Sequence, residues 1–273
     1  MFRLVRTEMY KQLRRPRTWV GLGVVILIPI IITIALKTSP PDGGGPRDRE
    51  DTLFLLATQS GLLVPAAALR VMSEFFLVVI LCMFTGDAIA SEAGWGNLRF
   101  LLTRPISRPR LLTAKLIVGA SFGLVATALI VISGVIAGGL AFGFHPVVIP
   151  LVGITQSTST LFVNLALSVV LAAWGIAGIA AFAFMLSTMM DNSAGAIFGA
   201  VGLYIVTSIL GAISSIGPIR YGFPTFYNGA WSSLFTGADF GGDMVRNVLV
   251  QIPYVIAFVA IGFWWFRRKD ITS

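Results

Sequence analysis

Few residues in this chain could do chemistry by type. They are an ionisable pair, Arg70 and Glu74, inside an apolar stretch; a glutamate, Glu92, followed by arginines in residues 87–115; one histidine, His145; and one cysteine, Cys82. Arg70 and Glu74 stand four apart, which puts both side chains on one helix face within reach of each other. A charge at the centre of a bilayer costs about 2.5–3.5 kcal/mol or more. The pair therefore reads either as a gate or substrate contact, or as an ion pair snorkelling to the outer interface. A single histidine excludes a multi-histidine metal site and a single cysteine excludes an intrachain disulfide, so both are expected to be structural. No HExxH-like site, catalytic carboxylate pair or Ser/His/Asp set occurs, and apolar residues rather than a glycine-rich loop precede Lys37-Thr38. Nothing therefore cradles phosphates in the manner of a P-loop. The chain is expected not to be an enzyme and to hold no cofactor or metal.

The elements that must position these residues follow from composition. Of 273 residues, 56% are hydrophobic and 12% charged, and mean hydropathy is +0.87. Soluble domains carry about a quarter charged residues, so the pattern points to a chain folding in lipid. Long apolar blocks place spans at 19–36, 66–85, 111–142, 161–187, 195–216 and 248–266. The block 53–86 exceeds one crossing at about 1.5 Å per residue, and Pro65 is expected to divide it into a lead-in and the second span. The expected class is an all-α integral membrane protein, one domain of six transmembrane helices.

The positive-inside rule assigns the sides. Residues 3–17, residues 99–115 and the C-terminal Arg267, Arg268 and Lys269 carry fourteen basic residues, against five in the opposite loops. Both termini are expected to be cytoplasmic, in a multi-pass protein of the cell membrane. The net charge of +8 is then a matter of topology and anionic membrane lipid, without a nucleic-acid partner. A cationic start before an apolar run could also be a signal peptide, but Ile34-Ala35-Leu36-Lys37 offers no small-x-small site, so 19–36 reads as an uncleaved span.

Residues 2–17 place Phe2, Val5, Met9 and Leu13 at helical spacing among Arg and Lys, an amphipathic interfacial helix over 1–18 that serves as anchor or as docking surface. In residues 87–110, Leu98, Leu101 and Leu102 share a face before Pro105, predicting a short amphipathic helix tied to the second and third spans. Glycine pairs at 119/123, 134/138 and 195/199 permit close helix approach without showing which, if any, forms a dimer seam. Residues 217–247 interleave Phe226, Trp231 and other aromatics with Gly and Pro, suited to the outer interface. Asp191-Asn192-Ser193 reads as a helix cap or a contact with a partner.

The loop also carries Glu92, Gly96-Asn97-Leu98, Leu101-Leu102-Thr103-Arg104-Pro105-Ile106-Ser107-Arg108 and Lys115. In this it resembles the permease subunits of type-2 ATP-binding-cassette (ABC) exporters. The resemblance implies that 87–110 is a cytoplasmic coupling helix seated on an ATP-binding subunit through Glu92, Gly96, Leu98, Leu101, Leu102, Pro105 and Arg108. It implies two copies of that subunit, which would hold ATP and Mg, and a second permease half, identical or paralogous. It further implies an outer hairpin capping the exit path, with Arg70, Glu74, Phe226 and Trp231 as candidate gate or substrate contacts. The expected function is efflux of a drug, antibiotic, peptide or lipid-like cargo. The alternative is an ion-coupled secondary transporter dependent on Arg70 or Glu74.

Overall fold

The hydropathy pattern folds as a helical bundle. The structure, a computed structural model, describes residues 1–39, 49–94, 107–148, 155–237 and 242–269, with only the backbone of 49–52. In chain order the helices are α1 (Phe2–Leu13), α2 (Pro16–Thr38), α3 (Arg49–Gln59), α4 (Val64–Glu74), α5 (Phe76–Gly86), α6 (Ala90–Gly94), α7 (Arg108–Phe142), α8 (Thr158–Gly175), α9 (Ala177–Met189), α10 (Ser193–Ala212), α11 (Ser233–Thr236) and α12 (Gly242–Arg268). A two-residue antiparallel ladder, β1 (Val147–Val148) with β2 (Thr155–Gln156), lies between α7 and α8. The helices α2, α7, α8, α10 and α12 are each long and apolar enough to cross a membrane, and α4 with α5 passes the same test as a pair bent by 61°. The chain is thus an all-α membrane protein in its architecture.

The bend is a departure from the continuous second span expected over 66–85. Pro65 stands in the first turn of α4, where its missing N–H costs nothing, and the break falls instead at Phe75, with φ −148° and ψ −56°. The expected fourth span over 161–187 is likewise broken, at Ile176, into α8 and the shorter α9. The fifth ends at Ala212 rather than 216, and the last begins at Gly242 rather than 248, shortening the aromatic segment between them.

The bent pair forms the centre of the molecule. Val64, Ala66, Ala67, Leu69, Met72, Leu77, Val78 and Cys82 are fully or almost fully buried, and α4 and α5 both pack on α7. Glycines make this contact close: a Cβ at Gly134 would sit 2.8 Å from the Pro65 Cα, and one at Gly138 would collide with the Gly61 carbonyl. Gly119 and Gly123 meet Thr85 and Leu81 of α5 in the same way. These small-residue pairs are thus used within the chain. Around the centre, α2 lies on α7, α9 on α12, and α10 on α5 and α9. Outward-facing Leu27, Ile31, Ile136, Leu140, Phe198, Ile209, Leu249 and Ile256 leave an apolar belt, the surface expected of helices solvated by hydrocarbon.

Candidate functional site

At the end of the bundle that carries α1, four charged side chains from three elements meet. Lys115, in the second turn of α7 and 3% exposed, places Nζ 2.9 Å from Glu8 Oε2 of α1 and 2.8 Å from Glu92 Oε2 of α6. Lys11 contacts the same two carboxylates from the other side, at 2.7 Å to Glu8 Oε1 and 3.3 Å to Glu92 Oε1. The set is electrically neutral and mostly excluded from water. Burial would raise the Glu8 carboxyl, but Lys115 and Lys11 outweigh it and hold it below its ordinary value. Burial likewise would lower the Lys11 ammonium, and the two glutamates outweigh it and hold it above. Breaking one partner out of such a buried set typically costs about 3–5 kcal/mol.

The local sequence explains how α1 reaches this position. Its bundle-facing side is polar, Glu8 and Gln12 one turn apart, while Phe2, Met9, Tyr10 and Leu13 point away from the protein. Last-turn carbonyls of α1 accept from the next segment: Thr18 Oγ1 donates to Gln12 O at 2.8 Å, beside Arg15 N at 3.2 Å, and Trp19 Nε1 donates to Leu13 O at 2.7 Å. Arg15, between α1 and α2, and Arg17, in the first turn of α2, both pair with Asp87, the residue that follows α5 and is 1% exposed. One buried carboxylate and one buried cluster thus tie α1 and the residues that follow it to Asp87 and to α6.

Of the residues expected to couple to an ATPase, Glu92 lies in this cluster, within α6. Arg108 sits elsewhere: its Nη1 donates to the carbonyls of Phe266, Arg267 and Lys269 at 3.1–3.2 Å, finishing the C-terminal end of α12. Gly96, Leu98, Leu101, Leu102 and Pro105 lie outside the described residues. Asn192 caps α10 by accepting from Ala194 N at 2.9 Å, and Asp191 pairs with Lys269.

A second site lies farther along the bundle. Arg70 Nη2 and Glu74 Oε1 are 3.2 Å apart at the end of α4. They line a cavity of about 350 Å³ with Tyr204 of α10, residues 225–230 of the aromatic segment, Ser232, Ser233, Thr236 and Asp243. Phe226 is on this wall, edge-on to Tyr227 at 4.9 Å between ring centroids. Trp231 is not. Its ring is fully buried against Phe235, so this expected gate residue is a core residue of the aromatic segment.

Side-chain amides hold the cavity wall where the helices break. The carbonyl of Ser73, freed by the end of α4, accepts from Asn228 Nδ2 at 3.0 Å and faces Tyr204 Oη at 3.4 Å. At the other break Gln251 of α12 accepts from Gly178 N at 2.9 Å and donates to Gly175 O and Pro224 O at 2.5 and 2.6 Å. Asn164 and Gln156 both donate to Leu234 O at 3.0 Å. Helix breaks in hydrocarbon are tolerated only where the freed backbone groups find such partners. His145 has a related role: its backbone N–H and carbonyl bracket the Ser60 hydroxyl at 3.3 and 2.8 Å.

Residues 50–272 match the family described as "Protein of unknown function (DUF2705)". The chain belongs to the DUF2705 family. The match includes Arg70, Glu74, Glu92, Lys115 and the aromatic segment, and starts beyond Glu8 and Lys11. A relative outside this chain is the "Uncharacterized protein YhcI" of Bacillus subtilis (strain 168), 22% identical over 248 residues, which cover 88% of this chain and 76% of that protein. The family match thus spans α3 to α12, the second site, and the Glu92 and Lys115 half of the first.

Proposed function

We propose that this chain is the membrane-spanning subunit of an ATP-driven exporter of the ABC type. In this reading the six spans are α2, the bent pair α4 and α5, α7, α8 with α9, α10 and α12, in the cell membrane with both termini cytoplasmic. Two copies of a separate ATP-binding subunit hydrolyse ATP with Mg, and a second permease half completes the path.

The observation that carries the reading is the buried cluster around Lys115. A subunit driven from outside needs a rigid connection between the surface that is pushed and the helices that move. Glu92, at the start of the loop whose motif resembles a coupling helix, is locked to α1 and α7 together through Glu8, Lys11 and Lys115. Displacing α6 therefore displaces two helices at once. The scarcity of ionisable residues in the spans supports mechanical over proton-relay coupling.

The test is to tag the chain, extract it gently and identify what co-purifies in stoichiometric amount. The expected result is a soluble subunit with a P-loop, whose ATP hydrolysis no longer drives transport when Glu92→Lys is introduced. The competing reading, an ion-coupled transporter, is favoured by the Arg70–Glu74 pair lining a cavity. It requires the chain to purify alone and to move cargo in ATP-free vesicles under an ion gradient.

A further inference from the structure

We propose that the groove between α2 and α7 is a phospholipid site, in which one acyl chain lies along the groove and the headgroup phosphate meets Lys37. An anionic headgroup is favoured. The site does not depend on the exporter reading.

The groove has a volume of about 470 Å³ and lies at the end of the bundle opposite α1. Its α2 side runs from Ile26 to Lys37, a rise of about 16 Å. That is the depth of one leaflet in a hydrocarbon core about 30 Å thick. Ile30 and Ile34 on one side and Ile136 and Leu140 on the other stand as exposed rims, Leu140 being 84% exposed. Between them Ser133, Ala137 and Ala141, one turn apart on α7, keep the floor low.

The floor asks for no polar partner. Thr33 Oγ1 donates to Pro29 O at 2.7 Å and Ser133 Oγ to Leu129 O at 2.7 Å, so each hydroxyl has given its one proton to its own helix. An occupant of hydrocarbon therefore leaves no donor stranded. The single charge is at the mouth, where Lys37 stands exposed in the last turn of α2. Among the described residues no carboxylate pairs with it. An ammonium at the edge of a leaflet attracts lipid phosphate, most of all in a headgroup with net negative charge.

A second copy of the chain fits less well. Spread over its length, the volume gives a section on the order of 30 Å², whereas a helix is about 10–12 Å across and would ride on the rims. The glycines of α7 that allow the closest helix approach, Gly134 and Gly138, are already turned toward Pro65 and Gly61.

The experiment places the full chain in phosphatidylcholine nanodiscs doped with a lipid carrying a diazirine at mid-chain, once as phosphatidylglycerol and once as phosphatidylcholine. After photolysis, mass spectrometry locates the adducts. Phosphatidylglycerol is expected to label residues 26–37 and 133–141 about fivefold more than phosphatidylcholine does, and the outward face of α12 at Ile256 equally with it. Lys37→Gln should equalise the two lipids in the groove. Ala137→Phe, which fills the floor, should lower groove labelling by both lipids to the level at Ile256, with an unchanged melting temperature. Equal labelling by the two lipids in the parent, a preference that survives Lys37→Gln, or groove labelling no higher than at Ile256 overturns the proposal. Protection of both segments from both lipids would assign the groove to another protein surface and overturn it as well.

Discussion

Asn228 Nδ2 donates to the main-chain carbonyl of Ser73 across 3.0 Å, so the aromatic segment is fastened to the point where α4 stops. The bond joins residues 155 positions apart, and it makes the wall of the cavity part of the same polar lattice that permits the helix break.

Replacing Asn228 with Leu leaves the Ser73 carbonyl with Tyr204 Oη alone, a loss of about 0.5–1.5 kcal/mol for one buried hydrogen bond. Gln251→Leu removes partners from three backbone groups at once and should lower the melting temperature further. Thermal melts of the two variants in one detergent check the order. Equal melting of Gln251→Leu and the parent would show that water replaces the amide.

Lys115→Met leaves Glu8 and Glu92 facing each other with Lys11 as their remaining cation, and should destabilise the protein by about 3–5 kcal/mol. Adding Glu92→Gln removes one of the two stranded charges and should recover a good part of that loss. A double-mutant cycle from denaturation midpoints measures the coupling, and additive effects would contradict the cluster as described.

The docking of α1 should depend on pH at the extremes only. The Glu8 carboxyl is held below its ordinary 4.5, so its contribution is complete above that value and is lost as pH falls through the lower folded value. The Lys11 ammonium is held above its ordinary 10.5, so its contribution is complete below 10.5 and is lost as pH rises through the higher one. A spin label at Leu13, read for collision with a water-soluble quencher, should report a docked helix through the neutral range and release in strong acid. Glu8→Gln should lack the acid step attributable to this carboxyl.

Gly138→Val should cost more than the usual overpacking penalty of about 1–3 kcal/mol. The added carbons meet the Gly61 carbonyl and the Val64 side chain, and a main-chain oxygen cannot rotate aside. Gly202→Val on α10, where nothing lies within 4 Å, is the matched control. Similar yields of folded protein for the two would argue against close packing of α4 on α7.

The apolar helices were legible because a span is a local property: some twenty consecutive residues must each tolerate hydrocarbon. The breaks at Phe75 and Ile176 were not, because what makes them affordable comes from Asn228 and Gln251, far along the chain. Trp231 looked like an interfacial aromatic by composition, and only the fold shows Phe235 beside it in the core. Lys115 was visible as a lysine opening a span, but its two carboxylate partners are 107 positions before it and on the far side of the intervening loop. One local signal did exist. Glu8 and Gln12, one turn apart on an otherwise basic and apolar helix, marked a polar stripe with no reason to face lipid.

The 61° bend between α4 and α5 also constrains how the protein can be made. Each half has 11 residues, about 16 Å of helix, roughly half the thickness of a hydrocarbon core, and the first half carries Arg70 and Glu74. Neither half is a self-sufficient insertion unit. The pair settles only when α7, synthesised later, presents Gly134 and Gly138 to receive it. Biogenesis of this segment therefore waits on a helix that leaves the ribosome after it.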